Sequence, residues 1–186
     1  MLAPKTLEHI SNMARSGCYA EEDLVRIFCQ ERYAPGALDP DEVAAAVAAA
    51  VEAWRAEQAS WPPITDCDRL NAAFANLTAH GVIALHNAGY TQSDGYDDFL
   101  QAYRHYPDRS AVVGYCFYTA QDLERAVRGE GLMLAFGPAN AADEVSEGPS
   151  IGANIQKALE RAGLEVAWDG TFSRRIHIPH MVWQRR

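Results

Sequence analysis

The helix-patterned first segment of this 186-residue chain ends at Trp61-Pro62-Pro63, and this break constrains the possible folds more than any other feature. Consecutive prolines remove backbone donors and push the preceding residue into an extended conformation, so a helix cannot continue through them. Short β-prone runs alternate with helical ones after the break. We therefore predict an N-terminal helical segment over residues 1–61 and an α+β domain over residues 64–186.

Three helices are predicted before the break. Leu7, Ile10 and Ala14 share one helical face, and acidic residues typical of a helix start open the second helix at Glu21. Asp39-Pro40 marks the start of the third, because Asp39 can cap the helix and proline fits the first helical position. The apolar stripe of this third helix consists of Val43, Val47, Val51 and Trp54.

Beyond the break, apolar runs predict a mixed sheet of about five strands with packed helices, an α+β fold. Two of these runs flank Asp169-Gly170, a dipeptide typical of tight turns, and are expected to form a C-terminal antiparallel hairpin. The second and third runs are expected to be parallel through the helix between them. The five runs lie at residues 82–85, 111–118, 132–136, 164–168 and 176–178.

Charge and composition exclude several functional classes. The net charge is −9, and only residues 157–186, with 6 Lys/Arg against 3 Asp/Glu, are basic. Such an acidic chain repels phosphate backbones, so no nucleic-acid partner is expected. The longest apolar run, Val43 to Val51, is far shorter than the roughly 20 residues that span a bilayer, and no membrane partner is expected either.

The location expected from the sequence is cytoplasmic. No apolar segment of the kind found in signal peptides follows Met1-Leu-Ala-Pro-Lys5. The spacing of Cys18, Cys29, Cys67 and Cys116 is wide and irregular, which favours reduced thiols over a disulfide framework.

The loop over residues 86–95 is the first candidate site, because it leaves a strand and enters a helix, where α/β sheets often bind ligands. His86, Tyr90 and Asp94 are its main candidate ligand-binding residues. The alternative is ordinary turn chemistry, in which Ser93 or Asp94 caps the helix and the loop glycines supply positive φ.

A second candidate is Gly148-Pro149-Ser150-Ile151-Gly152, interpreted as a helix start whose free amides could hold an anion. It lacks the Gly-Lys-Ser/Thr of a phosphate-binding loop, and the carboxylates of Glu144 and Glu147 nearby would repel phosphate. An ordinary helix start is the favoured interpretation.

The third candidate is the basic end of the chain, where Arg174, Arg175 and His177 could bind a carboxylate or phosphate. The alternative is a solvated outer face, since these polar residues alternate with Ile176 and Ile178. His177 and His180 would point to opposite faces of a strand, and the chain has neither His-Glu-x-x-His nor Cys-x-x-Cys. The sequence therefore predicts neither a metal ion nor a cofactor.

Several stretches from residue 66 to residue 186 resemble an uncharacterised bacterial family, a domain of unknown function. This resemblance implies a shared fold and no particular activity. It is carried by Asp68-Arg-Leu-Asn-Ala-Ala-Phe74, Gly114-Tyr-Cys-Phe-Tyr118, Gln121-Asp-Leu-Glu-Arg-Ala-Val127, Leu132-Met-Leu-Ala-Phe-Gly137, Ala167-Trp-Asp-Gly170 and Arg175-Ile176.

This chain departs from the similar sequences in the first candidate loop. Those sequences often carry Thr-Cys-Cys-x-x-Cys-Gly between the first strand and its helix. The corresponding positions here, residues 89–95, contain no cysteine. Any metal or redox chemistry of those thiols is therefore absent, and the loop must act through Tyr90, Asp94 or backbone groups.

The leading functional hypothesis is a non-catalytic cytosolic module that binds a protein partner or a small polar ligand through the 86–95 loop and neighbouring strand ends. Its acidic N-terminal helices would suit a basic partner or self-association. The alternative is a small enzyme for an anionic substrate. In that case Arg174, Arg175 and His177 would hold the anion, and His86 or Asp94 would act as acid or base. The enzyme hypothesis requires the loop and the C-terminal hairpin to face one cleft.

Overall fold

The computed structural model describes residues 1–186, which divide into two units. The first consists of Met1–Thr65 together with Gln184–Arg186, and the second of Asp66–Trp183. None of the helices is long and apolar enough to cross a lipid bilayer.

The first unit contains three α-helices: α1 (Pro4–Arg15), α2 (Glu21–Arg26), which continues as a π-helical turn, and α3 (Pro40–Glu57). The predicted start of α3 is confirmed, because Asp39 accepts hydrogen bonds from the amides of Asp41 and Glu42 at 2.9 and 3.2 Å. The helices enclose one apolar core, which includes Ile10, Leu24, Phe28, Val43, Val47 and Val51.

The second unit combines four helices with a four-stranded sheet of order β1-β2-β3-β4. β1 and β2 are parallel, whereas β2 with β3 and β3 with β4 are antiparallel. The elements are α4 (Asp66–Ala79), β1 (Val82–Leu85), α5 (Gln92–Arg104), β2 (Gly114–Phe117), α6 (Ala120–Val127), β3 (Leu132–Pro138), α7 (Glu144–Arg161) and β4 (Ile176–Ile178).

The α+β class is confirmed, but the sheet has four strands and not five. The segment 164–168 forms no strand, and the predicted hairpin is reduced to a single antiparallel bridge between Ala167 and His177. The segment leaves the ladder there because the next residue, Trp168, turns to pack against α7. The expected parallel pairing of the second and third strands is also wrong, since Gly129 and Gly131, both with positive φ, turn the chain into an antiparallel β3.

The two faces of the sheet carry different helices. α4 and α7 contact each other and the sheet. A Cβ atom at Gly114 of β2 would meet Ile151 of α7, so Cys116, two residues further along the strand, belongs to the same side. Tyr115 and Phe117, which alternate with Cys116, pack with Phe99 of α5 in a separate cluster. The rings of Phe99 and Tyr115 lie 4.5 Å apart between centroids, and those of Tyr115 and Phe117 are stacked at 5.7 Å. The face beneath α5 is therefore an aromatic surface.

Candidate functional site

A loop over residues 168–175 is built around the indole of Trp168. Its Nε1 donates hydrogen bonds to the carbonyl oxygens of Thr171 and Arg174, both at 3.0 Å. Asp169 accepts from the hydroxyl and the amide of Thr171 at 2.7 and 2.9 Å, and these bonds lower the pKa of its carboxyl group. The loop thus holds Arg174 and Arg175 through its own internal contacts.

Two glycines of α7, Gly148 and Gly152, form the surface on which this loop rests. A Cβ atom at Gly148 would lie 2.5 Å from the ring of Phe172, and one at Gly152 would lie 2.5 Å from the ring of Trp168. The prediction of a helix start at residues 148–152 is wrong, because α7 begins at Glu144 and these glycines lie inside it. An anion would find no free helix amides there; the glycines instead admit two aromatic rings.

Arg175 links the starts of two helices. Its Nη1 donates to both carboxylate oxygens of Asp122 at 2.9 and 3.0 Å. Asp122 is 3% exposed, and its Oδ2 also accepts from the hydroxyl and amide of Thr119 in the capping box of α6. With its amide oxygen facing the guanidinium, Gln92 at the start of α5 accepts from Nε at 2.8 Å and from Nη1 at 3.0 Å. Nη2 makes no hydrogen bond within the protein.

A cleft of about 380 Å³ lies between the start of α5 and the 168–175 loop, and we refer to it as the α5 cleft. Its lining combines aromatic rings with two guanidinium groups and one carboxylate. The lining residues are Gln92, Ser93, Tyr96, Tyr115, Phe117, Ala135, Phe136, Glu144, Phe172, Ser173, Arg174 and Arg175.

Polar groups without protein partners face this cleft. Tyr115 is 8% exposed, and burial, together with the nearby Tyr96 and Glu144, raises the pKa of its hydroxyl. Neither tyrosine hydroxyl makes a hydrogen bond within the protein, and Glu144 has no ion pair. The ring of Tyr115 lies across Gly137 of β3, where a Cβ atom would come within 2.7 Å of the hydroxyl oxygen.

His86 lines a different cleft, of about 320 Å³, together with Asp98 and His105. Its Nδ1 lies 3.2 Å from the hydroxyl of Tyr118, and its ring packs on Phe74 with centroids 4.6 Å apart. Since Arg175 lines the α5 cleft, the structure does not bring His86 and Arg175 together in either cleft.

The remaining predicted site residues have separate environments. Asp94 belongs to the capping box of α5, where its carboxylate accepts from the amide and hydroxyl of Thr91, both at 2.8 Å. Those bonds lower its pKa. Thr91 is therefore the helix cap, where Ser93 or Asp94 was expected. Tyr90 is 51% exposed, and His177 lies in β4 opposite Met133; neither lines the α5 cleft.

The sequence singled out Arg174 and Arg175, which line the α5 cleft, but gave no indication of their surroundings. The Thr119-x-x-Asp122 pattern is typical of a helix cap, yet nothing local to it indicates an arginine 53 residues away. The aromatic lining was missed as well, because Tyr115 and Phe172 read as an ordinary strand residue and an ordinary turn residue.

Nothing in residues 1–186 assembles a metal site, since no group of three or more His, Cys, Asp or Glu side chains converges. The four cysteines are free, and burial raises the pKa of Cys116. A thiol with a raised pKa is a poor nucleophile, because the thiolate is the reactive form.

The fold and the cleft define a small α+β protein with a helical N-terminal unit. Residues 2–186 match the model of a family described as Domain of unknown function (DUF6891), and the chain belongs to this family. The match includes the N-terminal helices and so extends beyond the resemblance over residues 66–186. No curated protein and no solved structure matches the chain.

Proposed function

We propose that this protein is a non-catalytic binding protein for a small anionic ligand, which it holds in the α5 cleft. The observation that carries the proposal is Arg175, whose guanidinium is fixed by Asp122 and Gln92 while Nη2 makes no bond to protein. A guanidinium that is already oriented loses little conformational freedom on binding, and its remaining donors suit a carboxylate or phosphate oxygen.

Two further features of the cleft favour an anion at this end. Gln92 and Ser93 are the first residues of α5, and their backbone amides make no hydrogen bond within the protein. Amides at a helix start attract negative charge. Arg174 is 77% exposed in its side chain and paired only with Asp169 at 3.8 Å, so its charge is largely available to a ligand.

Binding without catalysis is favoured because the predicted acid–base groups are engaged elsewhere. Hydrogen bonds in the α5 capping box occupy Asp94, and its lowered pKa is the reverse of what a general acid needs near neutral pH. His86 lines the other cleft. The four free cysteines support a reducing, cytoplasmic location as part of the same proposal.

The proposal is tested by calorimetric titration of the full chain with inorganic phosphate, pyrophosphate and a series of small carboxylates. We expect at least one of these probes to bind saturably. Replacing Ser93→Glu should weaken that binding at least about tenfold, because it places a carboxylate in the anion end of the cleft. The protein should remain folded, since an acidic residue in the first turn suits a helix.

The matched control is Ser146→Glu, which makes the same change in the first turn of α7 outside the cleft. It should leave affinity unchanged. Failure of every anion to bind the wild-type chain, or equal losses in Ser93→Glu and Ser146→Glu, would contradict an anion site at the start of α5.

A further inference from the structure

The α5 cleft has two chemically different ends along β3. Ile176 pairs with Leu134, so the ladder places Arg175 beside Ala135. Tyr115 pairs with Gly137, two residues further along, which is about 7 Å at the rise of a strand. After β3 the chain passes through a 3₁₀ turn, Ala141–Asp143, to Glu144. The guanidinium therefore lies at one end of the cleft, and the tyrosine hydroxyls and the carboxylate lie towards the other.

The Glu144 end of the cleft presents a carboxylate and tyrosine hydroxyls that make no hydrogen bond within the protein. Glu144 is half-buried and makes neither an ion pair nor a hydrogen bond, and an ionised carboxylate only accepts. Tyr115 is 8% exposed as a whole residue, and its hydroxyl makes no hydrogen bond within the protein and is accessible from the cleft. A ligand group that donates several hydrogen bonds would complete this end.

The aromatic rings favour a positively charged donor. Tyr96 and Tyr115 lie at 5.5 Å between centroids in an edge-to-face arrangement, and both line the cleft together with Glu144. Cations are attracted to such ring faces, and a neighbouring carboxylate adds to the attraction. The middle of the cleft is apolar, with Phe117 and Phe136 in its walls.

We infer that the ligand is a small zwitterion, an amino acid or amine-bearing acid, with its anionic group at Arg175 and its ammonium group at Glu144. This inference rests on the proposed anion-binding function and names the class of ligand. Glu144 repels a molecule that is anionic at both ends, so nucleotides and dicarboxylates are disfavoured. A volume of about 380 Å³ is at the small end of ligand pockets and fits a molecule of this size.

The test is calorimetric titration of the full chain with matched probes. One set consists of ω-amino acids of increasing length and phenylalanine, a second of the corresponding carboxylates without the amine, and a third of the corresponding amines. We expect the best zwitterion to bind at least about tenfold more tightly than its matched carboxylate and its matched amine. An optimum chain length is expected, because both ends must be reached together.

Glu144→Gln should reduce the affinity for that zwitterion about tenfold, to the level of its matched carboxylate, whose own affinity should not fall. Tyr115→Phe should lower the affinity for the zwitterion more than the affinity for the matched carboxylate. Glu147→Gln is the control, because Glu147 lies in the same first turn of α7 but is exposed and outside the cleft.

The outcomes separate this inference from the proposed function. If the carboxylate binds as tightly as the zwitterion and Glu144→Gln has no effect, the inference that the ligand is a zwitterion is wrong. The proposed anion site would still stand. Tighter binding of a dicarboxylate leads to the same conclusion. If no probe of any set binds, both proposals are overturned.

Discussion

At the scale of single residues, Arg175 combines two roles that are usually separate. Its Nη1 neutralises the buried carboxylate of Asp122, and its outer edge lines the α5 cleft. Because Asp122 also caps α6, the same carboxylate fixes a helix start and a candidate ligand donor. The fold thus determines the position of the guanidinium before any ligand arrives. Binding then costs little conformational entropy, because the side chain is already ordered.

Replacing Arg175→Met should lower the free energy of unfolding by about 2–3 kcal/mol, because it leaves Asp122 buried without its cation. The effect is smaller than for a pair fully removed from water, since the Arg175 side chain is 28% exposed. Urea unfolding of the two proteins measures the difference.

Arg174→Met is the matched control for that measurement. Its side chain is 77% exposed and its ion pair is long, so the expected change is within about 0.5 kcal/mol. Equal losses in the two variants would show that the Asp122 pair does not stabilise the fold.

At the scale of elements, the 168–175 loop depends on the face that α7 presents to it. Gly148 and Gly152 are one turn apart and lie on the same side of α7. Phe172 and Trp168 pack against them, and the indole of Trp168 in turn holds the carbonyl of Arg174. The contact between helix and loop therefore determines where the arginines of the cleft lie.

Gly152→Ala tests this dependence. In a free helix the change would stabilise by about 0.5–1 kcal/mol. Here the new Cβ would lie 2.5 Å from the Trp168 ring and 2.8 Å from the Phe136 ring, so we expect a net loss of about 1–3 kcal/mol. Amide exchange over residues 171–175 should accelerate as the loop loosens, and ligand affinity should fall.

Ser150→Ala, an exposed substitution on α7, is its control and should change stability by no more than about 0.5 kcal/mol. If Gly152→Ala were as stable as the wild type and exchange in the loop were unaltered, the packing of Trp168 on α7 would not position the loop.

Elements whose signals are local were predictable from the sequence. The cap at Asp39 depends on residues two or three positions apart, and it is confirmed. The prediction of a strand at 164–168 was wrong because the conformation there depends on the packing of Trp168 against Gly152, which is distant in sequence. Only part of the candidate site could be predicted from the sequence. Its two arginines are adjacent in the chain and therefore conspicuous, whereas Asp122, Tyr115 and Glu144 come near them only through the fold.

At the scale of the whole molecule, the second unit closes on itself. The amide of Val182 donates to Asp66 Oδ2 at 3.0 Å, so the first helix residue and the last stretch of this unit are bonded to each other. Trp183 packs against Tyr118 with ring centroids 5.7 Å apart. Neighbouring ends are characteristic of domains that fold on their own. All residues of the α5 cleft belong to this unit.

A fragment consisting of residues 66–183 should therefore fold alone and bind with the affinity of the full chain, because both the sheet and the cleft are contained in it. Dispersed amide resonances and one cooperative unfolding transition would establish the fold, and parallel titrations would compare the affinities. The control is the same fragment carrying Ser93→Glu, which should be folded but defective in binding. A fragment that remained unfolded would show that the sheet needs the N-terminal helices in order to form. A folded fragment that did not bind the ligand would show that the cleft needs those helices in order to bind.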